Sequence, residues 1–118
     1  MHKVGTDIVE IQRVRSLIEK YGDKFLYKLF SFEEIKYCQS HSDPPIHFAG
    51  RFSAKESIRK SMSAFLDLNT FKFRELSIVN DINGRPYLDK KLPINLSIDI
   101  SISHTKTYAT SVAFLEYA

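Results

Sequence analysis

The spacing of apolar residues changes period along this chain and divides it into a helical first half and an extended second half. Val4 to Val9 reads as a short strand, and Ile11, Val14, Leu17 and Ile18 then recur at helical spacing up to Gly22, a residue suited to ending a helix. Asp23 is placed to cap a short helix carrying Phe25, Leu26, Leu29 and Phe30. Ser31 with Glu34 three residues on is a capping-box signal for a third helix that fades by His41. Ser42-Asp43-Pro44-Pro45 forms a loop whose second proline suits a first helical turn, and the unbroken run from Ile46 to about Leu66 predicts the longest helix. After Asn69 the pattern Phe71, Phe73, Leu76, Ile78, Val79 suggests a strand, and Asn83-Gly84 marks a turn before Pro86-Tyr87-Leu88. Leu96, Ile98, Ile100 and Ile102 alternate with polar residues, and a second apolar strand from Tyr108 to Leu115 should pair with them as a hairpin around His104 to Thr107. Helices early and antiparallel strands late indicate an α+β fold with helices packed on a sheet.

Composition narrows the class. At 118 residues and 43% hydrophobic content, the chain fits one domain over 1–118 with a modest core. Nine Phe and six Tyr in so small a domain leave apolar surface to cover, so self-association is expected. The single cysteine, Cys38, excludes an intrachain disulfide and a Cys-based zinc site, and it points to a reducing compartment. The chain begins without a signal-peptide pattern, and no stretch approaches the roughly 18 apolar residues of a membrane span, so a soluble cytoplasmic protein with no membrane partner is expected. A net charge of +3 favours an acidic partner without choosing among nucleic acid, phosphorylated ligand and acidic protein.

Strand alternation puts Asp7 on the face of Val9 and Ile11, where a carboxylate needs a partner; a structural acid is the plainer reading and a metal ligand the sharper one. In the long helix, Phe48, Phe52, Ile58, Met62 and Phe65 share one arc with Arg51, Lys55 and Arg59, so either the basic stems snorkel or a polar pocket interrupts the buried face. Glu56 and Lys60, one turn apart, have the order that favours a helical ion pair. A Mg²⁺ site uses only one or two protein carboxylates and takes its remaining oxygens from water and phosphate. Asp7 and Glu56 could supply that pair, with Arg51, Lys55 and Lys60 as phosphate-binding cations. His104 and Thr105 stand at a hairpin tip that could hold phosphate. The HExxH, GxSxG, P-loop and GxGxxG patterns are absent, which disfavours the chemistries they carry. Arg13, Arg15 and Lys20 on the first helix could meet an acidic helix, although such faces are usually just solvated.

Four segments in this order resemble the bacterial holo-acyl-carrier-protein synthases, the small class of phosphopantetheinyl transferases: Val4-Gly5-Thr6-Asp7-Ile8-Val9-Glu10-Ile11; Gly50-Arg51-Phe52-Ser53-Ala54-Lys55-Glu56-Ser57 with Lys60; Asn83-Gly84-Arg85-Pro86; and Ser101-Ile102-Ser103-His104-Thr105. The resemblance covers nearly the whole chain. It implies a homotrimer with coenzyme A at the subunit interfaces, and Mg²⁺ held by Asp7 and Glu56 against the pyrophosphate. It also implies Lys60 on phosphate, Arg51, Lys55, His104 and Thr105 around the nucleotide, and the Gly84-Arg85-Pro86 turn near the adenine. Arg13, Arg15 and Lys20 become the dock for apo acyl carrier protein. The implied reaction transfers 4'-phosphopantetheine to a carrier serine in fatty acid biosynthesis, with Asp7, Glu56 and Lys60 catalytic, and either Glu56 or a metal-bound water taking the serine proton. Two departures from the family pattern stand out: Ser63-Ala64-Phe65 replaces a Gly-rich loop, and Asp43-Pro44-Pro45 stands where relatives carry basic residues. A basic nucleic-acid-binding module would explain the charge but not Asp7 with Glu56; a family member that binds coenzyme A without turnover is the other alternative.

Overall fold

Strand β1 (His2–Glu10) runs straight into helix α1 (Ile11–Tyr21), and the junction is pinned where the Ile11 amide donates to Thr107 O at 2.9 Å. The structure, a computed structural model, describes residues 1–65 and 72–118. Gly22 at φ +56 ends α1, with its amide bonded to Ile18 O, and also serves as N-cap of α2 (Asp23–Leu29). That double role at a left-handed φ suits glycine. Asp23, expected as the cap, lies inside the first turn and makes no capping bond. The capping box of α3 (Phe32–Gln39) is complete: Ser31 Oγ accepts from the Glu34 amide and Glu34 Oε1 accepts from the Ser31 amide.

Helix α4 (Pro44–Ser61) is the 18-residue spine of the molecule. It begins with both prolines in its first turn rather than at Ile46. It is capped by Met62, short of the expected Leu66, which lies outside the described residues. Strands β4 (Leu96–His104) and β5 (Tyr108–Tyr117) form the expected hairpin, with β1 added antiparallel to β5 in the order β1-β5-β4. A small hairpin of β2 (Ile78–Asn80) and β3 (Pro86–Leu88) lies beside β4.

The strand expected over Phe71 to Val79 is realised only from Ile78. Phe71 lies outside the described residues, and Phe73–Glu75 is a 3-10 turn. The turn points the carbonyls of Phe73 and Leu76 at the buried Lys55 ammonium, which accounts for the departure from extended geometry.

The core has two parts, and α4 runs through both. Its first half joins Ile11, Val14, Leu26, Phe30 and Ile35 through Phe48, whose ring centre lies 4.9 Å from that of Phe30. Burial of each such ring contributes about 1.5–3 kcal/mol. Its second half joins Leu76, Ile78, Ile100 and Leu115 through Ala54, Ile58 and Met62. Between them the helix lies almost on the sheet, because Gly5, Ala109, Ser111 and Ala113 on the inner face are all small and buried. A Cβ at Gly5 would fall 1.9 Å from Ser57 O. Ser53 and Ser57 complete the contact by bonding Ser111 Oγ at 2.7 and 2.6 Å. No helix among the described residues is long and apolar enough to cross a membrane.

Candidate active site

This close approach brings two distant acids together. Asp7, on the inner face of β1, and Glu56, on α4, line one cavity of about 340 Å³ with Glu10 and Arg13, and its apolar wall is Val14, Leu17, Phe25 and Phe52. Ser53 Oγ and Thr110 Oγ1 both donate to Asp7 O, fixing the backbone beneath the carboxylate. Lys60 Nζ is 3.2 Å from Asp7 Oδ1 and also donates to Thr6 O at 2.9 Å. Lys60 therefore reaches across to the strand instead of pairing with Glu56. The cation nearest Glu56 is Arg59, at a loose 3.9 Å. Glu56 keeps its oxygens largely available beside the Asp7–Lys60 pair.

The donor set suits a hard cation: Asp7 and Glu56, with Glu10 also on the wall, line an open, partly polar cavity, and among the described residues no cluster of three or more His, Cys, Asp or Glu could cage a metal unaided. An ion held there would have to complete its shell with water or substrate oxygens, as Mg²⁺ ordinarily does. Lys60, the cation paired with Asp7, has its side chain about half exposed.

A second group of candidates gathers around Arg51. Arg51 is 5% exposed; its guanidinium lies 4.2 Å from the Tyr37 ring centre and donates through Nη2 to Asn80 Oδ1, while its buried Nε makes no hydrogen bond within the described residues. Asn80 Nδ2 in turn donates to Gly84 O at 2.8 Å. This relay ties Arg51 to the Gly84-Arg85-Pro86 turn. Gly84 sits at φ +81, and Asp81 Oδ1 accepts from the Asn83 and Arg85 amides. His104, at the end of β4, is exposed and lies within 6.4 Å, ring to ring, of His47 on α4. Thr105 Oγ1 accepts from the amides of Thr107 and Tyr108, so it shapes the hairpin tip.

Two candidates are engaged by partners within the fold. Lys55 is fully buried, with Nζ donating to Glu34 Oε1 at 2.6 Å, Phe73 O at 2.7 Å and Leu76 O at 2.8 Å. Its three donors are saturated inside the fold, so it faces no ligand. Burial pulls its pKa down and Glu34 works against that pull. Arg15 makes a bidentate pair with Asp43 at 2.7 and 3.0 Å, fastening α1 to the start of α4. That hydrogen bond holds the Asp43 carboxyl below the usual range. Arg13, at the cavity mouth, and Lys20, whose ammonium lies 5.2 Å from the Tyr21 ring centre, remain exposed. Lys24 and Lys28 line a second, more apolar cavity of about 310 Å³ that shares Leu17 and Phe25 with the first. Cys38 is sealed in the core, and burial pushes its thiol up to about 12, which makes it inert.

Sequence reasoning missed Glu34, Asn80 and the histidines preceding Arg51. Glu34 was visible only as a capping residue, yet its Oε2 also accepts from the Ile78 amide at 3.0 Å, so one carboxylate joins α3, α4 and β2. Asn80 carried no pattern signal.

The comparisons with known proteins match the fold over nearly its whole length. The family model described as the 4'-phosphopantetheinyl transferase superfamily matches residues 3–113. A holo-[acyl-carrier-protein] synthase of Protochlamydia amoebophila is 37% identical over 115 residues, covering 93% of each chain. Among solved structures, the ACPS-CoA complex of Chronobacterium ammoniagenes superposes with a TM-score of 0.85 at 28% identity, covering 100% of this chain and 98% of the other. A holo-(acyl-carrier-protein) synthase from Bacillus anthracis in complex with CoA (3',5'-ADP) gives 0.84 at 26%, covering 98% and 96%. By the extent of these matches, this chain belongs to the 4'-phosphopantetheinyl transferase superfamily.

Proposed function

We propose that this protein is a holo-[acyl-carrier-protein] synthase, transferring 4'-phosphopantetheine from coenzyme A to a serine of apo acyl carrier protein and releasing 3',5'-ADP, in the cytoplasm and for fatty acid biosynthesis. The observation that carries the reading is the meeting of Asp7 and Glu56, 49 residues apart in the chain, in one cavity beside Lys60. Asp7 and Glu56 would hold Mg²⁺, which when bound neutralises pyrophosphate charge and lowers the barrier to phosphoryl transfer. Lys60 stabilises the charge that builds on the leaving diphosphate. Glu56, or a water held next to it, takes the proton from the attacking serine. The apolar wall of Val14, Leu17, Phe25 and Phe52 gives the pantetheine arm a surface that excludes water from the reacting atoms.

Arg51, the Gly84-Arg85-Pro86 turn, His104 and Thr105 are proposed to hold the nucleotide half of coenzyme A. The orphaned Arg51 Nε supports an anion there. The exposed cations Arg13 and Lys20, beside the shared apolar wall, are proposed to receive the acidic carrier. A homotrimer is supported by the outer face of the sheet, where Val4, Ile8 and Val112 are 54%, 66% and 43% exposed side by side on paired strands. This chemistry calls for no nucleic acid.

Incubation with coenzyme A, Mg²⁺ and apo carrier protein, followed by intact-mass spectrometry, should show the carrier heavier by one phosphopantetheine, with free 3',5'-ADP. Absence of that mass shift with well-folded protein would refute the assignment.

A further inference from the structure

Around Arg51 the structure gathers more titratable nitrogen than the proposed nucleotide contacts use. The rings of His41 and His47 lie 3.9 Å apart, and His47 is 6.4 Å from His104, so three imidazoles run in file from the end of α3 across α4 to the tip of β4. Tyr37 borders the file from α3, 4.5 Å from His41 and 6.0 Å from His47. His41 Nδ1 donates to Tyr37 O at 2.8 Å and His104 Nδ1 to Thr105 O at 3.2 Å, since carbonyls only accept. In both rings Nε2 takes no part in these bonds.

The charge around this file is unbalanced. Acting on His47 are His41 and Arg51 from the helical side, His104 from β4, and one carboxylate, Asp43, which Arg15 already engages with both oxygens. Asn80, from β2, brings no charge. Burial first, and then repulsion from His41, Arg51 and His104, oppose a proton on His47 without an anion, so His47 is held below the ordinary histidine range. A bound dianion reverses that balance. One tetrahedral phosphate seated against the edges of the His47 and His104 rings, whose centres are 6.4 Å apart, can accept a bond of about 2.8 Å from each.

We propose that His41 and His47, together with His104, form a protonatable clamp for the phosphomonoester on the nucleotide half of the donor, so that this protein's preference for a donor bearing that group strengthens as pH falls. The inference rests on the coenzyme A reading above. It adds two specificity-determining residues, His41 and His47, and a pH dependence. A phosphomonoester fits better than the diphosphate because it is terminal, carries up to two charges and itself titrates near pH 6.

The test is calorimetric binding of 3',5'-ADP and of adenosine 5'-monophosphate, which lacks the 3'-phosphate, from about pH 8 down to about pH 6.5, where histidine gains its proton. The ratio of the two affinities should rise about three- to fivefold over this range, because raising one imidazole pKa by one unit is worth about tenfold only once pH lies well below the ligand-free value. In the His41→Gln/His47→Gln double variant the rise should shrink below about twofold. In the unmodified protein, NMR titration should show the His41 and His47 rings moving to higher pKa when 3',5'-ADP is added, a readout that requires no variant to fold. A pH-independent ratio, a double variant that keeps the rise, or ring titrations unmoved by 3',5'-ADP would each overturn the clamp. Carrier modification measured in parallel separates the two claims: transfer with a flat ratio sinks only the clamp, whereas a pH-dependent ratio without transfer sinks only the proposed reaction.

Discussion

Replacing Lys55 with methionine tests whether this lysine belongs to the fold or to the ligand. Methionine approximates the length of the stem but removes the ammonium, and with it three short bonds, to Glu34 Oε1, Phe73 O and Leu76 O. Both members of the ion pair are completely buried, so Glu34 would stay behind as an uncompensated charge, and two carbonyls would lose their donor. Breaking a buried pair from one side costs about 3–5 kcal/mol, against the about 5–15 kcal/mol that holds a typical domain together. For a chain of this size that corresponds to a fall of about 10–20 °C in Tm. The assay is urea denaturation with circular dichroism on the parent, Lys55→Met, Glu34→Gln and the double variant. The double variant should be less destabilised than the sum of the singles, because the second change removes the stranded charge. If Lys55→Met lost less than about 1 kcal/mol and instead lost affinity for 3',5'-ADP, the burial argument would be wrong and Lys55 would reach a ligand.

Glu56→Gln should lower kcat for carrier modification by about 10²- to 10⁴-fold while shifting Tm little, since its ion pair with Arg59 is loose at 3.9 Å; a steady-state assay beside a melting curve separates the two effects. Gly5→Ala forces a Cβ to within 1.9 Å of Ser57 O, so α4 must move off β1. It should cost about 1–3 kcal/mol in denaturation and also depress kcat, because Glu56 rides on α4 and Asp7 on β1. Arg13→Glu should raise the KM for the carrier more than Arg15→Gln does. The latter should instead alter acid stability: Asp43 has a lowered pKa in the fold, so its pairing stabilises above the ordinary carboxylate pKa and is lost as pH falls through the lowered value. A melting series through the acid range should show that loss in the parent and not in Arg15→Gln. His47 is likewise lowered, so in ligand-free protein the neutral ring favours the fold above its ordinary pKa and that advantage fades as pH falls below it. His47→Gln should flatten this part of the stability–pH curve.

Where local rules act, the sequence alone was enough. The period of β4 and β5, the Ser31–Glu34 capping box and the Gly22 stop were legible because each depends on residues a few positions apart. Asp7, Glu56 and Lys60 could be nominated because carboxylates and cations on an apolar face need partners. Which partner each would find was beyond sequence, since it depends on how closely α4 lies on the sheet. The small residues at Gly5, Ser111 and Ala113 set that distance, and the answer was Lys60 with Asp7 rather than with Glu56. The basic residues within the aromatic arc posed a choice between snorkelling and a polar pocket. At Lys55 the pocket prevailed because Glu34 and two carbonyls, contributed by segments on either side of α4 in the sequence, converge there to replace its water. The file of histidines is likewise a product of tertiary structure: the ends of α3 and β4 meet over the first turns of α4, and nothing in the spacing of residues 41, 47 and 104 foretells it.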